Sequence, residues 1–156
     1  MKLSELNQGF STLIGAGALL SVVTPDGEAN TMTVSWGASG VLWGKEICTV
    51  FVRPERHTYG LLEKTDKMTL SFFGDEKKDD LAFCGTKSGA NVNKFEACDL
   101  KYSCDDGFVV IDEAKITLKL KVLYTFDLEK EGFCDTSPLK FYQNGGLHRA
   151  FVCEVI

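Results

Sequence analysis

The sequence predicts a mainly β protein, a small antiparallel β-barrel with a few short helices between its strands. At least six segments of strand length, rich in β-branched and aromatic residues, are separated by turn residues. The chain has 156 residues, of which 44% are hydrophobic and 25% are charged. That size and balance are typical of one globular domain, so we expect residues 1–156 to form a single domain.

The first two strands form a predicted hairpin. Residues 18–24 are apolar and run into a Pro-Asp-Gly turn, after which residues 29–37 alternate in character. The alternation separates an apolar face from a face of small hydroxyl residues: Met32, Val34 and Trp36 against Thr31, Thr33 and Ser35. Small residues follow Trp36, so this end of the strand leaves open space beside it.

Four further segments have strand character, and three have helical character. The strands are predicted at residues 47–52, 68–73, 114–126 and 147–156. The short helices are predicted after an N-cap at Thr58, over residues 77–85, and after an N-cap at Asn91. The 114–126 strand carries a row of lysines on one face, for which we expect a role in solubility and edge protection.

Composition excludes several classes of partner. The net charge of −5 argues against nucleic acid or an anionic membrane surface. No apolar run reaches membrane-spanning length, and Glu5 and Asn7 precede the first apolar segment, which is not the plan of a signal peptide. We therefore expect a cytoplasmic protein with neither nucleic-acid nor membrane partners.

The six cysteines do not predict a metal centre. They include no Cys-x-x-Cys pair, and the chain has two histidines, His57 and His148, as imidazole donors. We expect no metal site and no disulfide framework. Reduced cysteines that pack as small buried hydrophobic residues explain the pattern.

Two loops carry the residues of an anion site. Arg53, Arg56 and Thr58 lie between a strand and a helix, and a second loop, Thr86-Lys87-Ser88, lies between two glycines before the next helix. Hydroxyls, a cation and glycines beside a helix N-terminus suit a phosphate. The alternatives are surface ion pairs for the arginines and an unliganded turn, and no Walker or dinucleotide motif is present.

Four segments, in this order and spacing, resemble the flavin reductase-like family with the FMN-binding split-barrel fold, and most closely its flavoredoxin-type branch. They are NTMTVSWG (30–37), VRPERHTY (52–59), AFCGTKSGANVNKF (82–95) and FYQNGGLHRAFVCEVI (141–156). The resemblance extends from about Ala18 to the end of the chain. It implies an antiparallel split β-barrel that binds FMN, either tightly or exchangeably.

The resemblance also implies which residues surround FMN. The isoalloxazine ring would lie along residues 30–36, with Trp36 as a wall of the site or, alternatively, as part of the core. His148 would lie near the flavin or be a structural histidine, and no other catalytic residue is assigned. The implied cofactor contacts are Asn30, Met32, Thr33, Val34, Ser35, Trp36, Arg53, Arg56, Thr58, Tyr59, Phe83, Cys84, Gly85, Thr86, Lys87, Ser88 and His148.

An FMN-dependent NAD(P)H oxidoreductase is the function that this resemblance implies, with a small molecule or a protein as electron acceptor. The alternative is a flavoredoxin-like electron carrier that a protein partner reduces in place of nicotinamide. Ala90, Asn91 and Asn93 depart from the family pattern, and the Gly146-Leu147 step lacks an expected acidic residue, which leaves the hydride donor open. A homodimer is expected, with apolar contacts from the Trp43 loop or from residues 133–142.

Overall fold

The computed structural model describes residues 1–156. Seven strands form one antiparallel sheet in the order β2-β1-β5-β8-β9-β4-β3, and β6 pairs with β7 in a separate hairpin. The strands are β1 (Ala18–Val23), β2 (Ala29–Val34), β3 (Gly37–Leu42), β4 (Lys45–Val52), β5 (Lys67–Phe72), β6 (Tyr102–Asp105), β7 (Phe108–Ile111), β8 (Ile116–Asp127) and β9 (Arg149–Val155). The prediction of a mainly β fold with antiparallel strands is confirmed.

Four α-helices connect the strands: α1 (Phe10–Ala16), α2 (His57–Leu62), α3 (Lys78–Thr86) and α4 (Lys94–Ala97). Short 3₁₀ turns lie at Leu3–Glu5, Asp75–Lys77, Lys130–Gly132 and Ser137–Tyr142. None of the helices has the length and apolar character needed to cross a membrane.

Two apolar clusters hold these elements together. The main core lies inside the curved sheet and includes Leu20, Leu70 and Leu118, which are fully buried. The second core lies outside β1, where α3, α4 and the β6–β7 hairpin pack and where Cys84 and Phe95 are buried. Burial of apolar area drives both layers, and the second layer fixes the loop between α3 and α4 relative to the sheet.

The long strand β8 is confirmed, and its lysines make contacts that the sequence did not predict. β8 lies between β5 and β9, with residues 116–121 paired to β5 and residues 120–127 paired to β9. Lys119 pairs with Asp105 at 2.5 Å and lies 5.4 Å from the ring centroid of Phe108. Lys119 therefore meets the β6–β7 hairpin, a contact between distant segments that periodicity alone does not contain.

Strand β3 and the β6–β7 hairpin were not predicted. Residues 37–42 have few β-branched side chains, and their strand form comes from pairing with β4 over the full length of β3. A side chain at Gly37 would approach the carbonyl oxygen of Thr49 to 3.0 Å, so close packing of the two strands requires glycine there.

Both predicted helix caps are wrong by two residues. Helix α2 begins at His57 with Arg56 as its cap, because the Thr58 hydroxyl is buried and accepts a hydrogen bond from Asn30. Helix α4 is capped by Asn93, whose side chain accepts from the backbone N–H of Glu96. Asn91 lies in the preceding turn.

Candidate functional site

An open cleft of about 210 Å³ lies where the barrel is split. β2 pairs with β1 alone, so its outer edge has no strand partner, and this edge faces the cleft. The opposite wall of the cleft comes from the end of β4 and the residue before β9. In the sheet, these two strands lie on the side away from β2. The residues that line this aromatic cleft are Met32, Thr33, Val34, Ser35, Trp36, Phe51, Arg53, Arg56 and His148.

Trp36 is a wall of the aromatic cleft and not part of the core. β2 ends at Val34, so Trp36 leaves the alternation of the strand, and 44% of its surface is exposed. Its ring centroid lies 5.2 Å from that of Phe141, edge to face, and 5.4 Å from that of His148. Of the two interpretations left open by the sequence, the structure supports the first.

His148 lines the same cleft and is also buried, with 8% of its surface exposed. Its Nδ1 lies 2.7 Å from the hydroxyl of Tyr142, and its ring meets Phe51 edge to face. Burial lowers the pKa of His148 to about 4, and the nearby Arg53 guanidinium contributes in the same direction. The imidazole is therefore neutral at pH 7.

The segment before His148 is fastened over the cleft by Arg53 and Glu55. The Arg53 guanidinium donates to the carbonyl oxygen of Phe141 at 2.7 Å and lies 5.0 Å from the Tyr142 ring centroid. The backbone N–H of Gly146 donates to the Glu55 carboxylate, which holds the pKa of that carboxylate below its usual range. These contacts bring the predicted Arg53 loop and the His148 segment together.

A second, polar cavity of about 80 Å³ adjoins the cleft. No apolar side chain lines it, and Arg56 belongs to both cavities. It brings together the two loops that the sequence marked as an anion site. This anion cavity is lined by Glu55, Arg56, His57, Thr58, Thr86, Lys87, Ser88, Gly89 and Lys94.

Lys94 lines the anion cavity and was not predicted from the sequence, as Phe51 was not in the aromatic cleft. Only 2% of its surface is exposed, and its ammonium donates to the carbonyl oxygen of Cys84 at 2.8 Å, its single hydrogen bond. Burial lowers the pKa of Lys94 to about 8, and the charge of Arg56 contributes to that shift. An ammonium has three N–H donors, so two remain without a protein acceptor beside the cavity.

Arg56 shares its acceptor with Lys94. Its guanidinium donates to the carbonyl oxygens of Gly85 at 2.8 Å and Cys84 at 3.1 Å. Burial lowers the pKa of Arg56, and guanidinium groups stay protonated in proteins. The carbonyls of Cys84 and Gly85, predicted as cofactor contacts, are thus occupied by these two cations.

The Asn30 side chain ties β2 to α2 and does not line the aromatic cleft or the anion cavity. Its amide donates to Thr58 Oγ1 at 2.9 Å, and both groups are buried. A side chain at Gly89 would overlap the Asn30 amide, so this approach of the loop requires glycine. Thr33 is held in a similar way, because its hydroxyl donates to the carbonyl oxygen of Leu81 at 2.5 Å.

Two other predicted contacts lie away from both cavities. Tyr59 packs against the main core, and its ring centroid lies 5.1 Å from the guanidinium of Arg149. Phe83 packs against the second core. Neighbouring residues on a helix point in different directions, so adjacency to Thr58 or Cys84 does not by itself carry a side chain into the site. Phe83 is implied as a contact through its backbone, and both contacts stay predictions.

Solved structures of similar fold include three flavin proteins. The FMN-binding protein from Thermus thermophilus with bound p-hydroxybenzaldehyde shares 24% identity at a TM-score of 0.69, over 91% of this chain and 69% of that one. Flavoredoxin from Methanosarcina acetivorans shares 19% identity at a TM-score of 0.71, over 90% of this chain and 65% of that one. The styrene monooxygenase flavin reductase from Pseudomonas putida S12 shares 18% identity at a TM-score of 0.64, over 89% of this chain and 75% of that one.

These likenesses support the fold, and this chain spans about two-thirds of the length of the first two proteins. No functionally curated protein matches the sequence. The family model described as the flavin reductase like domain matches residues 13–156, which is most of the chain. The resemblance and the split-barrel fold predicted from the sequence are thereby confirmed, and the chain belongs to the flavin reductase-like family.

Proposed function

We propose that this chain binds FMN across the two cavities and transfers electrons from NAD(P)H to an acceptor. One observation carries the proposal: Arg56 joins an aromatic cleft to an anion cavity that contains a buried lysine. FMN has the same two parts, a flat aromatic ring system and a phosphate at the end of a short polar chain. Neither cavity alone would favour that ligand.

The ring system would lie along the free edge of β2. The backbone of Met32–Trp36 borders the cleft and offers N–H and C=O groups that no neighbouring strand uses. Ser35 is small and exposed, so it leaves room for a flat ring, while Trp36 and Phe51 provide apolar walls. Backbone groups and an apolar slot are the usual means of orienting such a ligand.

The phosphate would occupy the anion cavity. Lys94 contributes a buried positive charge with two N–H groups free to donate, and Lys87 and Arg56 contribute two more charges. The hydroxyls of Thr86 and Ser88 border the same space. Burial of the Lys94 charge without a counter-ion costs free energy. A dianionic phosphate in the cavity would offset that cost.

Bound FMN would supply the chemistry, namely acceptance of a hydride and onward transfer of electrons. The residues of the chain would bind and orient it and would provide a positive potential. Arg53 and Arg56 both line the cleft, and their charges favour electron density on a ring beside them. Neutral His148 adds an apolar edge next to Trp36 without adding charge.

We further propose that the chain is a homodimer. Large apolar side chains are exposed at the Trp43 turn and at Phe141, as the sequence predicted, and also on β8 at Tyr124 and Phe126. Tyr124 lies beside Phe126 and Phe141 lies beside Trp36, and adjacent exposed apolar side chains mark interaction surfaces. Light scattering should give twice the mass of one chain, and the mass of a single chain would contradict the dimer.

The binding and electron-transfer steps can be tested on purified protein. After addition of FMN and desalting, we expect the visible absorbance of a flavin to remain with the protein and FMN to be released on denaturation. With FMN present, oxidation of NADH or NADPH should exceed the rate with free flavin. Protein that neither retains FMN nor accelerates NAD(P)H oxidation with FMN present would contradict the whole proposal, whereas acceleration without retention would identify an exchangeable flavin. Retention without NAD(P)H oxidation, combined with reduction by a protein donor, would identify a flavoredoxin-like carrier instead.

Substitution of Lys94 by methionine tests the phosphate site. Methionine keeps the length of the side chain and removes its charge, so FMN should bind roughly 10–150-fold more weakly, the range for loss of one charge-assisted hydrogen bond. Titration of FMN and of riboflavin, which has no phosphate, measures the effect. Riboflavin affinity should stay unchanged, and Lys101→Met, at an exposed position, is the matched control. Equal loss for both flavins would place Lys94 outside the phosphate site.

FMN affinity should fall as the pH rises from 7 to 9. Lys94, with its pKa lowered to about 8, is protonated at the lower pH and largely neutral at the higher one. The phosphate is already dianionic in this range, so the dissociation constant should rise by up to about tenfold. The same titration on Lys94→Met should show a flat profile. An equal pH dependence in the variant would assign the effect to another group.

A further inference from the structure

Two buried thiols are in contact beside the anion cavity. The sulfur atoms of Cys84 and Cys98 lie 3.8 Å apart, and both residues belong to the second core. Cys84 is fully buried, and Cys98 is 8% exposed. The contact joins two helices, since Cys84 lies in α3 and Cys98 follows the last residue of α4.

The other four cysteines are placed differently. Cys104 and Cys134 are exposed and lie in the β6 strand and in the loop after β8. Cys48 and Cys153 face each other across β4 and β9, inside the main core and away from both cavities. No sulfur–sulfur hydrogen bond joins any of these four residues, in contrast to Cys84 and Cys98.

The contact is linked to the wall of the anion cavity through the backbone. The carbonyl oxygen of Cys84 accepts hydrogen bonds from both Arg56 and Lys94. The segment between the two cysteines carries Thr86, Lys87, Ser88, Gly89 and Lys94, which line the cavity. A covalent link between the sulfurs would therefore enclose this segment of the cavity wall in one ring.

We propose that Cys84 and Cys98 are a modification site that forms a reversible disulfide with a small peroxide as oxidant. The Cys98 thiolate attacks one peroxide oxygen, the O–O bond breaks, and the first water leaves after proton transfer. The Cys84 sulfur then attacks the sulfur of the Cys98 sulfenic acid, which forms the S–S bond, breaks the S–O bond and releases the second water. Two thiols lose two electrons and two protons, and hydrogen peroxide is reduced to two waters.

The geometry allows this bond after a small movement. A disulfide requires a sulfur separation of about 2.05 Å, and Cys98 lies at the end of a four-residue helix, where the chain can adjust. Cys98 is the better first nucleophile because it is the less buried of the two. Burial raises the pKa of the Cys98 thiol, the contact with Cys84 lowers it, Asp80 raises it further, and the charge of Lys77 favours the thiolate.

The same burial sets the expected rate. Burial raises the pKa of Cys84 to about 12, so its thiolate is scarce at neutral pH. Oxidation should thus be slower than for a free thiol and should favour a small neutral oxidant over a bulky reagent. The proposal does not depend on flavin binding, because it rests on the two sulfurs and their placement.

Peptide mapping of peroxide-treated, folded protein tests the proposal. Each cysteine falls in its own tryptic peptide, with Cys84 in residues 79–87 and Cys98 in residues 95–101. After removal of peroxide, free thiols are alkylated in denaturant and the digest is analysed by mass spectrometry. We expect a linked 79–87/95–101 pair as the main disulfide species, and dithiothreitol should abolish it. Recovery of both peptides as alkylated thiols, or random pairing with other cysteines, would overturn the proposal.

Thermal unfolding provides a second measurement. The disulfide closes a loop of about 15 residues, which should raise Tm by roughly 6–12 °C relative to the reduced protein, and dithiothreitol should reverse the rise. Cys98→Ala should lose both the linked peptide and the rise, whereas Cys104→Ala, at an exposed position, should retain both. If Cys98→Ala does not fold, the peptide map of the unsubstituted protein still decides the matter.

Discussion

The carbonyl oxygen of Cys84 accepts hydrogen bonds from two cations, Arg56 and Lys94, and the arrangement of the site depends on this shared acceptor. Arg56 lies in the loop after β4. Lys94 is the first residue of α4, which follows β5 and α3 in the chain. Two positive charges that converge on one carbonyl repel each other, which is one reason why the pKa of Lys94 falls to about 8. The pair fixes the relative position of two loops and creates a buried positive potential that favours an anion.

The second constraint is the open edge of β2. A fully closed barrel would use every backbone group of this strand in pairing, whereas the split leaves one edge free beside an aromatic wall. Helices α3 and α4 pack against β2 and carry the anion cavity with them, so the polar and apolar parts of the site adjoin each other. The second core, which contains the sulfur contact of Cys84 and Cys98, fixes that helical layer.

Much of this arrangement is readable from the sequence. The hairpin at residues 18–34, the buried face of β8 and the two loops with hydroxyl and cationic residues follow from alternation, turn residues and side-chain chemistry. Lys94 and Phe51 could not be found in the same way. A lysine in a short polar helix predicts a surface position, and its burial results from the packing of α4 on β2 and α3. The Tyr59 side chain packs against the main core, since sequence adjacency to Thr58 says little about direction on a helix.

The sequence by itself therefore determined six of the nine strands, which loops carry anion-binding chemistry and which family the chain resembles, because those properties depend on neighbouring residues and on motif order. The tertiary structure alone decided that Arg56 spans two cavities, that Trp36 is a wall and not a core residue, and that Lys94 is buried. Each of these depends on contacts between segments distant in the chain, such as Arg56 with Gly85 and Trp36 with Phe141. Such contacts form only when the sheet closes around its core, so local sequence patterns do not contain them.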